Sequence, residues 1–173
     1  RQDTLEANVL AAIQLQVKAA LDYDKLLDKL RGSEGEKNIR DQQNALITSL
    51  NLRLNGVSKK RTRLYEDYAE GLLDEAEYSF AKKSYDEQYA DLSRRLDEAV
   101  QRRSKFDEAM SVDNKWITLM KSVSTATQLS QDLVDESVEL VKVHEGGAVE
   151  LVMKYGDIYE LTIQSIKEVQ EAM

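Results

Sequence analysis

The chain of 173 residues has no cysteine, no proline and a single histidine. Without cysteine it can carry no disulfide framework, no thiol nucleophile and no thiolate zinc site of its own. His144 alone cannot build a multi-histidine metal site. No apolar run reaches the ~18 residues of a membrane span, and no charged-then-apolar leader pattern is present. Aromatic residues are few apart from eight tyrosines, and there are only seven glycines. A chain with no proline and few glycines favours long helices with few breaks.

What the sequence has in quantity is charge: 24 basic and 32 acidic side chains, net −8. The imbalance is local. Residues 129–173 hold ten acids against three lysines, a net of −7, and the first 128 residues are close to neutral. A dense, balanced mixture of both signs is the signature of solvated helix faces. The acidic end repels a nucleic-acid backbone and is a poor candidate for phosphate contact.

Apolar spacing of three and four predicts a helix over 4–31, opened by Asp3-Thr4-Leu5-Glu6 and closed by Arg31-Gly32. Ser33-Glu34-Gly35-Glu36 is a Ser-x-x-Glu box that restarts a helix over 34–70. Leu50, Val57 and Leu64 lie seven apart in it, a heptad seam with polar interruptions. Gly56 falls inside this helix, which is expected to run through it. Gly71 is the expected turn. Beyond it, 74–111 carries Tyr78, Tyr85, Leu92, Ala99 and Phe106 at sevens, interleaved with Tyr89, Leu96 and Arg103. Two heptad segments of similar length joined by a short turn predict an antiparallel coiled-coil hairpin. An arm of about 35 residues reaches roughly 50 Å, long enough to touch another molecule and too narrow to enclose a substrate.

Past the hairpin the pattern shortens. Residues 114–126, with Trp116, Ile117 and Met120, predict a short amphipathic helix, and Ser130 is the expected N-cap of another reaching about Leu140. The period then becomes two over 141–145 and 149–155, with Gly146-Gly147 between, which predicts a β-hairpin. Its apolar face is expected to pack on the 130–140 helix and the Trp116 segment. Asp157 is expected to cap a last helix ending at Met173. The fold class is therefore mainly α: a long antiparallel coiled-coil hairpin with a small helix plus β-hairpin base. The expected divisions are 1–32, a hairpin arm over 33–112 with its tip near 65–78, a helix and β-hairpin region over 113–156, and a final helix over 157–173.

Three stretches in this order resemble the C-terminal region of large serine recombinases, especially transposon-borne ones. Leu64-Tyr65-Glu66-Asp67-Tyr68-Ala69-Glu70-Gly71-Leu72-Leu73-Asp74-Glu75-Ala76-Glu77-Tyr78 resembles the family's arm turn. Leu129 to Val134, Val141 to His144, Gly146-Gly147 and Val149 to Leu151 resemble the helix and hairpin that follow it. Leu5 to Leu10 looks like the helix leaving the zinc ribbon. The resemblance covers most of residues 5–156. It implies a fragment lying after the last zinc-ligand cysteine of a site-specific DNA recombinase, with no catalytic residue, metal or cofactor of its own. The arm would hold recombinase subunits together in synapsis and help set direction. Other subunits are the implied partners, with a directionality factor as a further candidate. DNA would be met only through absent domains, no membrane is involved, and the implied compartment is the bacterial cytoplasm.

Tyr65, Tyr68, Gly71, Leu72, Leu73 and Tyr78 are the candidate interaction residues, because tip side chains have few places to bury and exposed apolar clusters mark contact sites. The competing reading is that the tyrosines simply close the turn. The basic run Lys59-Lys60-Arg61-Thr62-Arg63 reads as a solvated face pairing with Asp86, Glu87 and Asp91 rather than as a DNA contact. Arg53, Lys60 and Arg103 lie near seam positions, where long stems can line an apolar groove or loosen its register. His144 reads as an exposed residue beside the hairpin turn. A free-standing interaction protein of prefoldin-like type is the alternative, but such chains place the β-hairpin between the long helices, and here it follows both. A four-helix metal enzyme needs Glu-x-x-His pairs, and position 141, three before His144, is valine.

Overall fold

The computed structural model describes residues 2–144 and 148–173. In chain order it contains α1 (Gln2–Leu30), α2 (Glu34–Ala69), α3 (Glu75–Met110), α4 (Lys115–Ser122), α5 (Gln131–Ser137), β1 (Val138–Val143), β2 (Val149–Met153) and α6 (Gly156–Glu171). The fold is mainly helical, with a helical hairpin and a two-stranded antiparallel sheet. The chain divides into two compact units: Asn38–Ser104, and the segments up to Lys37 and from Lys105 to Met173.

The first unit is the hairpin of α2 and α3. Leu50 and Val57 of α2 bury against Leu92 and Ala99 of α3, with Ile47, Leu54, Tyr85, Tyr89 and Leu96 packed around them. These are the heptad positions of both helices, so the 3.5-residue repeat turns one stripe of each helix toward the other. Leu64 continues the buried stripe toward the turn. Helix α2 runs unbroken through Gly56, as expected. Of the expected Leu46/Ile47 pair, Ile47 takes the seam and Leu46 faces solvent. Arg53 and Lys60 are exposed rather than lodged in the groove, and Arg103 is half-buried. The residues flanking them, Leu54 and Val57, fill the inter-helix space instead.

In the second unit α1 buries a stripe of Val9, Ile13, Val17, Ala20, Leu27 and Leu30. Against it lie α4, β2 and α6. Trp116 of α4 is wholly buried, with Tyr159 of α6 at 4.7 Å between ring centroids and Tyr23 of α1 at 6.1 Å. Asn114 is the polar pin of this core. Its Oδ1 accepts from the Ile117 N–H at 3.1 Å and so caps α4, while its Nδ2 donates to the Ala109 carbonyl and the Thr162 hydroxyl at 3.0 and 2.7 Å. Arg31 donates to the carbonyls of Met110 and Ser111, both at 2.8 Å, satisfying groups that the end of α3 leaves open.

Several boundaries differ from expectation. Helix α1 is already under way at Gln2, so Asp3 lies within its first turn rather than ahead of it. The box at Ser33 forms in modified shape. The Glu36 N–H donates to Ser33 Oγ at 3.2 Å, but the Glu36 carboxylate accepts from Gly32, one residue earlier than the usual partner. Helix α4 stops at Ser122 and not at 126. The Ser122 and Ser124 hydroxyls donate to the carbonyls of Leu119 and Lys121, both at 2.7 Å, and compete with continued helix. Helix α5 has Ser130 as its N-cap, as expected, but ends at Ser137, and β1 begins three residues before the predicted strand. The cause is tertiary: the Ser137 carbonyl accepts from the Lys154 N–H at 3.0 Å, which draws residue 138 into the sheet. Strand β2 ends at Met153, because Tyr155 adopts a left-handed conformation (φ 58°) and is itself the N-cap of α6. Asp157 therefore sits inside the first turn, where its charge still suits the helix dipole. The sheet packs on α1 through β2 and meets α5 through β1, and Trp116 lines the same cleft as Leu151 and Met153, so α1 is the neighbour that was not expected. Gly146-Gly147 lie outside the described residues. Helix α6 docks on its own chain through Ile158, Ile166 and Val169, and Met173 stays exposed.

Candidate functional site

The turn between α2 and α3 is closed from both sides. On the α2 side Gly71 takes φ 75°, the left-handed region that glycine enters without a Cβ penalty. The Leu72 N–H then reaches back to the Asp67 carbonyl at 2.9 Å and the Gly71 N–H to that of Tyr68 at 3.0 Å, a Schellman ending. On the α3 side the Glu77 N–H donates to Asp74 Oδ1 at 2.8 Å, and the Asp74 N–H donates to Glu77 Oε2 at 3.0 Å. This reciprocal box satisfies two free donors of the new helix.

The six candidate residues then separate into two groups. Tyr68 and Tyr78 stack on each other across the turn, 4.3 Å between centroids and 17° between planes. Leu73 is half-buried, and Tyr68 keeps one side open at 37% exposed. These three, with Gly71, build the turn. Tyr65 and Leu72 point outward, 62% and 67% exposed. Phe80, in the second turn of α3, is 81% exposed and belongs with them. Phe80 is not among the six candidates, but the sequence carries its signal: it falls on neither heptad set of α3, so the periodicity turns it to solvent.

Below the turn a groove of about 380 Å³ runs between the helices, lined by Arg61, Tyr65, Tyr78, Lys82 and Asp86. Asp86 is its electrostatic centre. Arg61 of α2 and Lys82 of α3 each stand 2.8 Å from its carboxylate. The hydrogen bond from Lys82 and the charges of both cations hold the Asp86 carboxyl below the ordinary aspartate range, and Asp86 in turn raises Lys82 above the ordinary lysine value. The Arg61 guanidinium also lies 4.8 Å over the Tyr89 ring. Arg61 therefore pairs across the hairpin as expected, and Arg63 stands 3.9 Å from Asp67 on its own helix.

No family model, curated protein or solved structure matches the chain.

Elsewhere His144 pairs with Glu150 at 3.0 Å, and Lys142 reaches the other oxygen of the same carboxylate at 3.0 Å. The hydrogen bond from Lys142, followed by that from His144, holds the Glu150 carboxyl below the ordinary glutamate range. Among the described residues no three His, Cys, Asp or Glu side chains converge as metal ligands, and no helix is long and apolar enough to cross a membrane. A cleft of about 1050 Å³ in the second unit is lined by Trp116, Tyr159, Leu151, Met153, Glu139 and Glu160.

Proposed function

We propose that this chain is the coiled-coil and C-terminal portion of a large serine recombinase, acting as a protein–protein arm in synapsis and directionality control and performing no chemistry itself. The observation that carries the arm reading is the exposed apolar set Tyr65, Leu72 and Phe80 beside a turn closed by the Tyr68–Tyr78 stack. Large apolar side chains that the fold does not use, gathered at one end of a helical hairpin, suit contact with another polypeptide. The partner is another subunit's arm. The near-neutral charge of the first 128 residues supports protein over DNA as that partner. The recombinase identity rests on the resemblance at residues 64–78 and 129–151.

Two experiments test the two halves of this reading. In the recombinase that carries this chain, Leu72→Glu with Phe80→Ser is expected to abolish synapsis and leave binding to a single DNA site intact. Unchanged synapsis would overturn the arm assignment. The coding sequence upstream of Arg1 is expected to specify cysteines at zinc-ribbon spacing, and their absence would overturn the recombinase identity while leaving the contact surface to stand.

A further inference from the structure

The two-stranded ribbon is finished on one side and open on the other. Strand β1 pairs with β2 through Leu140↔Val152, Val141↔Leu151 and Lys142↔Glu150. The His144 N–H donates to the Ala148 carbonyl at 2.9 Å, which fixes the phase of the ladder. In an antiparallel pair the bonded positions alternate, so residues 140, 142 and 144 bond toward β2. The amides and carbonyls of Val141 and Val143 consequently point to the opposite edge. No strand lies there among the described residues. Strand β2 is held against α1, and β1, the other strand of the pair, meets α5, the helix that leads into it.

The apolar side chains of this edge are also unused, whereas Lys142 is neutralised by Glu150 of β2. Leu140, Val141 and Val143 are 49%, 37% and 64% exposed, so five of the six β1 residues, all but Val138, face solvent. An apolar edge strand with unpaired backbone is a template for another strand, and natural proteins usually blunt such edges. Here the flanking charge decides what fits. Asp132, Asp135, Glu136 and Glu139 precede the edge, within a stretch that carries ten acids and three lysines. Pairing β1 with β1 of a second copy would bring two such stretches together at a repulsive cost.

We propose that the free edge of β1 receives an extended segment of a basic partner polypeptide as a third strand. The partner's backbone bonds to Val141 and Val143. Its β-branched residues cover the exposed valines and Leu140, and its lysines or arginines lie beside Glu139 and α5. This inference is independent of the recombinase reading.

The test uses the whole chain, isotope-labelled, and two capped peptides: Lys-Val-Thr-Val-Thr-Val-Arg and its acidic counterpart Glu-Val-Thr-Val-Thr-Val-Asp. The basic peptide is expected to shift the Val141 and Val143 amide resonances, and the acidic one to leave them in place. Val141→Pro removes an N–H that faces outward, so the bonds to β2 survive. This variant is expected to bind the basic peptide about tenfold more weakly, the loss of one strand hydrogen bond. If it disturbs the ribbon, a basic peptide N-methylated at alternate residues replaces it and is expected to show the same loss. No shift with the basic peptide, equal shifts with both, or undiminished binding by the variant or the methylated peptide would each overturn the proposal. So would a concentration-dependent dimer of the chain that Val141→Pro abolishes, because the edge would then belong to a second copy.

Discussion

Tyr68 and Tyr78 face each other across the Gly71 turn as a stacked pair, one ring from the last turn of α2 and one from the first turn of α3. The pair ties the helix ends together without drawing on the seam below. Stacked aromatic rings contribute about 0.5–1.5 kcal/mol beyond the area they bury. A double-mutant cycle with Tyr68→Ala and Tyr78→Ala, followed by urea unfolding, is expected to give a coupling energy in that range. A coupling near zero would show that the rings merely sit side by side.

Phe80 behaves in the opposite way. Its ring is 81% exposed and the fold gains little from it. Phe80→Ser is expected to change stability by less than about 0.5 kcal/mol. The proposed arm-to-arm association, followed by sedimentation, is expected to weaken.

Three glycines separate three physical effects. Gly71→Ala forces a Cβ into the left-handed region and is expected to cost about 1–2 kcal/mol. Gly35→Ala would drive a Cβ into the backbone carbonyl of Val169 and the side chain of Met173, so it is expected to cost more than the other two. At Gly56 a Cβ meets nothing, and alanine there is expected to stabilise the chain by up to about 1 kcal/mol through helix propensity. Chemical denaturation of the three variants orders them.

Asp86 supplies a pH prediction. Its carboxyl is depressed in the folded chain, chiefly by the Lys82 hydrogen bond. A depressed carboxylate contributes stability that is fully present above the ordinary aspartate range and is lost as pH falls through the lower folded-state value. An NMR titration is expected to place Asp86 below a reference aspartate, and Lys82→Ala to move its midpoint upward. Glu150 is expected to follow the same direction, with Lys142→Ala as its counterpart.

The buried Trp116 has no hydrogen-bond partner for its indole N–H among the described residues. Trp116→Ala is expected to cost about 3–5 kcal/mol. Trp116→Phe keeps most of the ring contacts with Tyr23 and Tyr159 and removes a donor whose burial itself costs about 1–3 kcal/mol. The phenylalanine variant is therefore expected to lose less than half as much in a thermal or urea melt.

The hairpin was legible because its determinants are periodic and local. Leu50, Val57, Leu92 and Ala99 announce the seam by spacing alone, and Gly71 with Asp74 and Glu77 announces the turn by chemistry. The second unit was legible only in outline. Residues 138–140 extend β1 because Lys154, far along the chain, bonds the Ser137 carbonyl, and no local pattern encodes that contact. Tyr155 as a left-handed N-cap overrides the more conventional Asp157. At the tip, the sequence placed six residues together but could not divide them into builders and contacts. That division depends on the Tyr68–Tyr78 stack, which depends on the exact turn geometry.

The two caps around Gly71 have a mechanical consequence. Sliding α2 past α3 would require the turn to take up or release residues. The Schellman bonds stop α2 from unwinding into it, and the Asp74–Glu77 box stops α3 from doing the same. The end of the hairpin is thus a crimp: the helices cannot trade length there. A change in the hairpin's trajectory is then expected from bending along its shaft, where Gly56 is the weakest helix former.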